Sequence, residues 1–172
     1  MKQLYLTIGI SGSGKSTYLK KHFKPEVIVN PDSIRKELAG DTSDHTMEAV
    51  VWATATKRIK DSLEKNGIAV LDATNVNARY RRGLLSPFKK MSDVETIALV
   101  FPSNSELSKG RIKKDVEFGI DRSRVPDDVV DKQLKDYERG YDALFQQFDK
   151  VKIVEDVINL KKLLKEQLGD VL

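Results

Sequence analysis

The chain has 172 residues, of which 40% are hydrophobic and 33% charged, with a net charge of +4. This composition fits one globular domain and excludes collagen-like and disordered classes, and the mild positive charge permits a polyanionic partner without requiring one. The lack of cysteine excludes disulfides and thiolate metal sites, and two histidines are too few for a zinc site built from histidine. Because no apolar stretch has the length of a membrane span and the N-terminus lacks a signal-peptide pattern, we expect a cytoplasmic protein without membrane association.

Short apolar runs alternate with helical patterns along the chain. Strands are predicted at residues 4–9, 26–30, 67–72, 95–101 and 151–154. Several of these runs are continuously apolar and rich in Ile and Val, as expected for strands that are covered on both faces.

Helices are predicted between these strands. Asn30 followed by Pro31 marks a helix start, with Asn as the cap and Pro at the first helical position. A second helix is indicated by a stripe at every fourth residue before a stop at Gly67: Met47, Val51, Ala55, Ile59 and Leu63. A closing helix is expected to bury Val157, Leu160, Leu164 and Leu168. The alternation predicts a single α/β domain over residues 1–172, a three-layer sandwich with a central parallel sheet.

The segment GISGSGKST, residues 9–17, follows the first strand directly. It satisfies the phosphate-loop pattern, and its placement between a strand and a helix argues against a chance match. Glycines let backbone N–H groups surround an anion, Lys15 brings a mobile charge to the outer phosphates, and the Ser16 hydroxyl is a hard ligand for Mg²⁺. The residues predicted to bind nucleotide are Gly9, Ser11, Gly12, Ser13, Gly14, Lys15, Ser16 and Thr17.

The second strand leads into a helix that carries Asp32 and, three residues later, Arg35. This spacing places both side chains on nearly the same helix face, at the sheet edge that also holds the phosphate loop. Asp32 is therefore a candidate proton acceptor for an incoming hydroxyl, and Arg35 a candidate for holding an anionic group. The alternative interpretation is a surface ion pair worth about 0.3–0.5 kcal/mol.

The third strand ends in Asp72, where a carboxylate beside a phosphate loop typically serves Mg²⁺ or the loop hydroxyl. A helix cap is the alternative. Arg79, Arg81 and Arg82 follow as a basic cluster. Each one alone is typical of a solvated helix face, although together they could line a groove for a polyanion.

A late basic stretch spans residues 109–126 and ends at Pro126. Small phosphate-loop kinases carry a lid at this position, whose arginines neutralise charge on the transferred group. Arg122 and Arg124 are the candidate lid cations, and a solvated charge run is the alternative.

These motifs occur in the order seen in one known family. The phosphate loop, NPDSIR (residues 30–35), LDATNVNARYRR (71–82) and RSRVPDDVV (122–130) resemble those of phage-type 5′-OH polynucleotide kinases and the small P-loop kinases around them. The resemblance covers residue 4 to about residue 142. It implies a P-loop NTPase fold of the adenylate-kinase-like type.

The resemblance also implies roles for individual residues. Lys15 and Ser16 would bind the phosphates of ATP and Mg²⁺, and Asp72 would join Ser16 around the metal. Asp32 would be the general base, and Arg35 would contact the 3′ phosphate of the substrate. Either Arg122 or Arg124 would be the catalytic lid arginine.

The predicted function is an ATP-dependent kinase that phosphorylates 5′-OH ends of DNA or RNA. The alternative is a kinase of the same architecture that acts on a small metabolite, such as a nucleoside or a sugar. An open positive channel lined by Arg35 and residues 79–82 would favour nucleic acid, whereas a closed neutral pocket would favour the metabolite. A nucleotide-dependent switch is a third class, although the sequence lacks the Asn-Lys-x-Asp motif of GTPases.

Overall fold

A five-stranded sheet, all of whose strands are parallel, forms the centre of the computed structural model, which describes residues 1–120 and 125–154. The strand order is β2-β3-β1-β4-β5. The strands are β1 (Lys2–Ile8), β2 (Ile28–Val29), β3 (Ile68–Leu71), β4 (Val94–Val100) and β5 (Lys150–Ile153). All five lie where the sequence predicts strands, so the predicted parallel sheet is confirmed.

Helices connect the strands. They are α1 (Lys15–His22), α2 (Pro31–Ala39), α3 (Glu48–Asn66), α4 (Ala78–Lys89), α5 (Ser105–Glu117), α6 (Asp127–Gly140) and the short α7 (Leu144–Gln147). None of the helices found in residues 1–120 and 125–154 combines the length and apolarity needed to cross a bilayer. The predicted closing helix with Val157, Leu160, Leu164 and Leu168 lies outside the described residues.

Two helix boundaries show how local signals act. The side chain of Asn30 accepts a hydrogen bond from Ser33 N, so the predicted cap of α2 is confirmed. Gly67 ends α3 in the left-handed region, with φ 71°, as the stop signal predicts. Met47 departs from the predicted stripe, because it precedes the first turn of α3 with non-helical dihedrals and is 37% exposed.

Strand β2 is shorter than the predicted 26–30. Residues Pro25–Val27 form a 3₁₀ turn, in which proline fixes the backbone and Val27 is buried. The strand therefore begins at Ile28, and its two residues pair with Val70 and Leu71 of β3.

Apolar clusters cover both faces of the sheet. On one face, β1 residues such as Leu6 pack with Ile59 of α3 and Phe88 of α4. On the other face, Leu19 of α1 packs against Val70 and Leu99. The predicted three-layer α/β fold is confirmed, and the layers hold the carboxyl ends of the strands in fixed positions.

A third apolar cluster lies beneath the glycine loop at the carboxyl end of the sheet. It joins Ile10 of the loop to Val76, Ile112 of α5 and Val130 of α6. The loop is thereby packed against the helices that follow β4.

Candidate active site

The glycine loop between β1 and α1 has a backbone that side chains rarely adopt. Gly12 has φ 76° and Gly14 has φ 92°, both in the left-handed region. A Cβ on Gly12 would lie 2.7 Å from the carbonyl oxygen of Ser108 in α5. Glycine at position 12 is therefore required both by the turn and by the close approach of α5.

Lys15 is held at the loop rather than extended into solvent. Its side chain is 8% exposed, and its Nζ donates to the carbonyl oxygen of Ile10 at 2.7 Å. The Oγ of Ser13 lies 3.5 Å from the same Nζ. The positive charge is thus positioned beside the loop amides, which suits an anionic ligand.

Asp72 joins three elements at the sheet edge. This carboxylate is 7% exposed, and its Oδ2 accepts hydrogen bonds from Ser16 Oγ at 2.7 Å and Asn30 Nδ2 at 3.1 Å. Ser16 lies in the first turn of α1 and Asn30 caps α2, so Asp72 ties the phosphate loop to the start of α2.

The Ser16 hydroxyl and the Asp72 carboxylate form a donor set of the kind that Mg²⁺ prefers. Magnesium is usually bound by one or two protein oxygens, with water and substrate phosphates completing its shell. Within the described part of the chain, no group of three or more His, Asp or Glu residues is arranged to hold a metal ion. One hydroxyl and one carboxylate are enough for a magnesium ion that a nucleotide brings with it.

Asp32 and Arg35 are in contact. Arg35 is 4% exposed, so it is not the surface cation that the alternative interpretation assumed. Its Nη1 donates to Asp32 Oδ1 and to the carbonyl oxygen of Thr42. Its Nε and Nη2 donate to the two carboxylate oxygens of Glu48, at 3.1 and 2.8 Å. The side chain of Asp32 is 50% exposed, so the structure presents a half-exposed carboxylate on a buried, paired guanidinium.

The hydrogen bonds between Arg35 and Glu48 keep both side chains charged. Burial lowers the pKa of Arg35, but hydrogen bonds with Glu48 and Asp32 outweigh burial, so the pKa is raised overall. The hydrogen bond from Arg35 holds the pKa of Glu48 below its usual range. Both groups are therefore ionised at neutral pH.

The basic cluster at 79–82 does not form one surface. Arg81 is 1% exposed, and burial lowers its pKa to about 10. It donates hydrogen bonds of 2.6–2.9 Å to one side-chain oxygen, that of Gln147, and to three carbonyl oxygens, those of Asn75, Val76 and Gly140. The hypothesis that Arg81 lines a polyanion groove is wrong, because its side chain is used to join α4, α6 and α7. Arg79 and Arg82 are exposed.

Two further residues contact the phosphate loop: Arg111, which lies in the predicted lid segment but was not singled out there, and Gln133, which was not predicted. Arg111 of α5 donates from Nη1 to the carbonyl oxygen of Gly12 at 3.1 Å. Gln133 of α6 accepts a hydrogen bond from Ser11 N at 2.9 Å. Arg111 follows the buried Ser108 by three residues, so helical spacing could have placed it on the inner face of α5. No sequence pattern distinguishes Gln133.

Residues 109–117 of the predicted lid segment belong to the regular helix α5. The two lid arginines of the prediction, Arg122 and Arg124, lie outside the described residues.

A parallel sheet, a glycine loop with a buried lysine, and a carboxylate at the end of the adjacent strand define a P-loop nucleotide-binding protein. Residues 4–139 match the AAA_33 family, an AAA domain, and the chain belongs to this family. It is a P-loop kinase of the AAA_33 type.

Solved structures support the fold. Similar chains include one from the Pnkp1/Rnl/Hen1 complex, with 24% identity and a TM-score of 0.55 over 64% of this chain and 38% of that chain. Deoxyadenosine kinase from M. mycoides has 17% identity and a TM-score of 0.53 over 98% and 100% of the two chains. Shikimate kinase from Bacteroides thetaiotaomicron has 14% identity and a TM-score of 0.52 over 98% and 99%. None of the curated proteins matches the sequence.

Proposed function

We propose that this protein is an ATP-dependent polynucleotide 5′-hydroxyl kinase, which transfers the γ-phosphoryl group of ATP to the 5′-OH end of DNA or RNA. The observation that carries the proposal is the half-exposed carboxylate of Asp32, fixed by buried Arg35 in the first turn of α2. Asp72 links the cap of the same helix to Ser16 of the phosphate loop. A proton acceptor and a phosphate cradle thus share one sheet edge.

The phosphate loop and its neighbours bind ATP in this proposal. Backbone amides of Gly12 and residues 14–17 surround the phosphates, whereas Gly9 N, Ser11 N and Ser13 N donate within the protein. Lys15 neutralises the outer phosphates. Ser16 and Asp72 would hold Mg²⁺, which when bound neutralises phosphate charge. Arg111, whose guanidinium already contacts Gly12, adds positive charge beside the loop.

Asp32 receives the proton of the attacking 5′-hydroxyl. The 5′ oxygen forms a bond to the γ-phosphorus as the bond from that phosphorus to the bridging oxygen breaks, which gives ADP and a 5′-phosphorylated end. Positioning and electrostatic stabilisation account for most catalysis in such transfers. On the basis of the sequence alone, the proposal also assigns a catalytic role to a lid arginine, either Arg122 or Arg124.

Arg35 positions Asp32 and has limited capacity for substrate. A guanidinium has five N–H donors, and Asp32, Thr42 and Glu48 use four of them. One Nη2 hydrogen is left for a contact with a 3′ phosphate. We therefore propose that Arg35 holds the base and touches the acceptor with a single hydrogen bond.

The test offers γ-labelled ATP with Mg²⁺ to four acceptors: a 5′-OH oligonucleotide, a nucleoside 3′-monophosphate, a nucleoside and a set of sugars. The proposal predicts the highest kcat/KM for the oligonucleotide. Faster transfer to the nucleoside or a sugar would overturn it in favour of a small-metabolite kinase, and ATP binding without transfer to any acceptor would favour a switch.

A further inference from the structure

Three exposed side chains lie within the first five residues of α4. Tyr80 is 78% exposed, and Arg79 and Arg82 are exposed as well. At about 100° per residue, Arg79 lies between Tyr80 and Arg82 on the exposed side of the helix. No carboxylate in the described part of the chain forms an ion pair with either arginine, and no described ring stacks on Tyr80. We call Arg79, Tyr80 and Arg82 the α4 patch.

The positive charges of the α4 patch do not stabilise helix α4. Positive side chains are unfavourable near a helix N-terminus, and the first turn of α4 contains no acidic residue to offset them. Buried Arg81 adds a third positive charge to the same turn. The two exposed guanidinium groups are therefore available to an anion from outside the chain.

The segment that leads into α4 runs along the phosphate loop. Thr74 accepts a hydrogen bond from Gly9 N at 3.0 Å, and Asn75 Nδ2 donates to the Thr7 carbonyl at 2.8 Å. Val76 packs with Ile10 of the loop. Because α4 begins at Ala78, the patch follows these contacts directly along the chain, at the carboxyl edge of the sheet.

The start of α4 is also firmly held. Asn77 caps it by accepting hydrogen bonds from Arg79 N and Tyr80 N. The side chain of Arg81 ties the same turn to Gly140 at the end of α6. A fixed platform loses less conformational entropy when a ligand binds than a mobile one does.

We propose that the α4 patch binds the single-stranded part of a nucleic-acid substrate behind its 5′ end, with Tyr80 stacked on a base and Arg79 and Arg82 on phosphates. This inference rests on the proposed function and names the feature that would separate oligonucleotide from mononucleotide acceptors. An aromatic face with flanking cations is the usual combination for single strands, because every unpaired base offers a π-face. A base within a duplex cannot stack in this way.

Binding of a labelled single-stranded oligothymidylate, measured by fluorescence anisotropy on the full chain, tests the patch. Tyr80→Ala should weaken binding by about 5-fold to 160-fold, the range for one base–aromatic stack, and Tyr80→Phe should bind like wild type. The double change Arg79→Ser/Arg82→Ser should reduce the slope of log affinity against log salt by about 1.4, from about 0.7 per phosphate contact. The matched control is Lys90→Ser, an exposed charge at the other end of α4, which should change neither.

Two results would overturn the patch: wild-type affinity in Tyr80→Ala, or equal weakening by Tyr80→Phe and Tyr80→Ala, since the second excludes stacking. Circular dichroism on each variant checks the fold, which an exposed side chain should not affect.

Kinetics separate the patch from the proposed function. Tyr80→Ala should raise KM for a 5′-OH oligonucleotide, with kcat and the KM for a nucleoside 3′-monophosphate unchanged. If wild type phosphorylates the oligonucleotide and Tyr80→Ala has the same KM, the α4 patch does not bind the substrate and the kinase assignment stands. If wild type binds oligothymidylate through Tyr80 but phosphorylates no oligonucleotide, the kinase assignment is wrong and the patch stands.

Discussion

Arg35 and Arg81 are both buried arginines near the carboxyl edge of the sheet, but their partners differ. Arg35 pairs with the carboxylates of Glu48 and Asp32. Arg81 has only neutral oxygens as its hydrogen-bond acceptors among the described residues. The comparison teaches that a buried arginine beside a half-exposed carboxylate can orient a reactive group, whereas one surrounded by carbonyls holds helices together.

The largest expected effect concerns Lys15 of the phosphate loop, which lies at the same sheet edge as Arg35. Lys15→Met should lower kcat/KM for phosphate transfer by roughly 10³-fold or more, because the proposal assigns Lys15 to neutralise charge on the outer phosphates. Steady-state kinetics with labelled ATP measure this. Lys21→Met, an exposed lysine of the same helix, is the control and should retain wild-type rates. Equal losses in the two variants would remove Lys15 from the site.

Arg81→Met should mainly reduce stability. Removing the guanidinium leaves the buried carbonyl groups of Val76 and Gly140, and the partly buried one of Asn75, without this donor. The loss costs about 2–4 kcal/mol and lowers Tm by roughly 10 °C. Thermal unfolding followed by circular dichroism measures the loss, and kcat below the transition should stay within about threefold of wild type. A large loss of kcat with unchanged Tm would reverse the roles given to the two arginines.

Arg35→Lys should mainly reduce turnover. Lysine keeps the charge but cannot reach Asp32 and both oxygens of Glu48 at once, so kcat should fall about tenfold or more. The matched control is Arg58→Lys, because Arg58 makes a two-oxygen pair with Glu37 at the surface. Similar kcat values for both variants would show that Arg35 does not position the base.

The smallest expected effect is a pH dependence of stability from Glu48. Because Arg35 lowers the folded-state pKa of Glu48, the pair stabilises the folded protein fully above the ordinary glutamate pKa of about 4.5. The contribution is lost as the pH falls from that value through the folded-state pKa. The difference in unfolding free energy between wild type and Glu48→Gln should therefore shrink below about pH 4.5. A difference that stays constant to pH 3 would contradict the pairing, and the exposed Glu138→Gln serves as control.

Local signals made much of this architecture predictable. Apolar runs, the cap at Asn30 and the stop at Gly67 depend on residues close in sequence, so strands and helix ends appear where they are expected. The phosphate-loop pattern and the strand-terminal Asp72 likewise pointed to one edge of the sheet. The fold class follows from these patterns because right-handed crossovers leave few ways to connect parallel strands.

Contacts between distant residues could not be predicted in the same way. The pairing of Arg35 with Glu48 crosses a loop, and Arg81 reaches Gly140, 59 residues away. Gln133 meets Ser11 across 122 residues. A side chain's partner at such separation is fixed by tertiary packing, which leaves no periodic trace in one sequence.

The central claim is that Asp32 and the phosphate loop serve one reaction. The most direct measurement is single-turnover transfer of labelled phosphate from ATP to a 5′-OH oligonucleotide by wild type, Asp32→Asn and the surface control Asp61→Asn. The account predicts a loss of about 10²–10⁴-fold for Asp32→Asn, with unchanged ATP affinity and a native circular-dichroism spectrum, and wild-type rates for Asp61→Asn. Transfer by Asp32→Asn at the wild-type rate would contradict it.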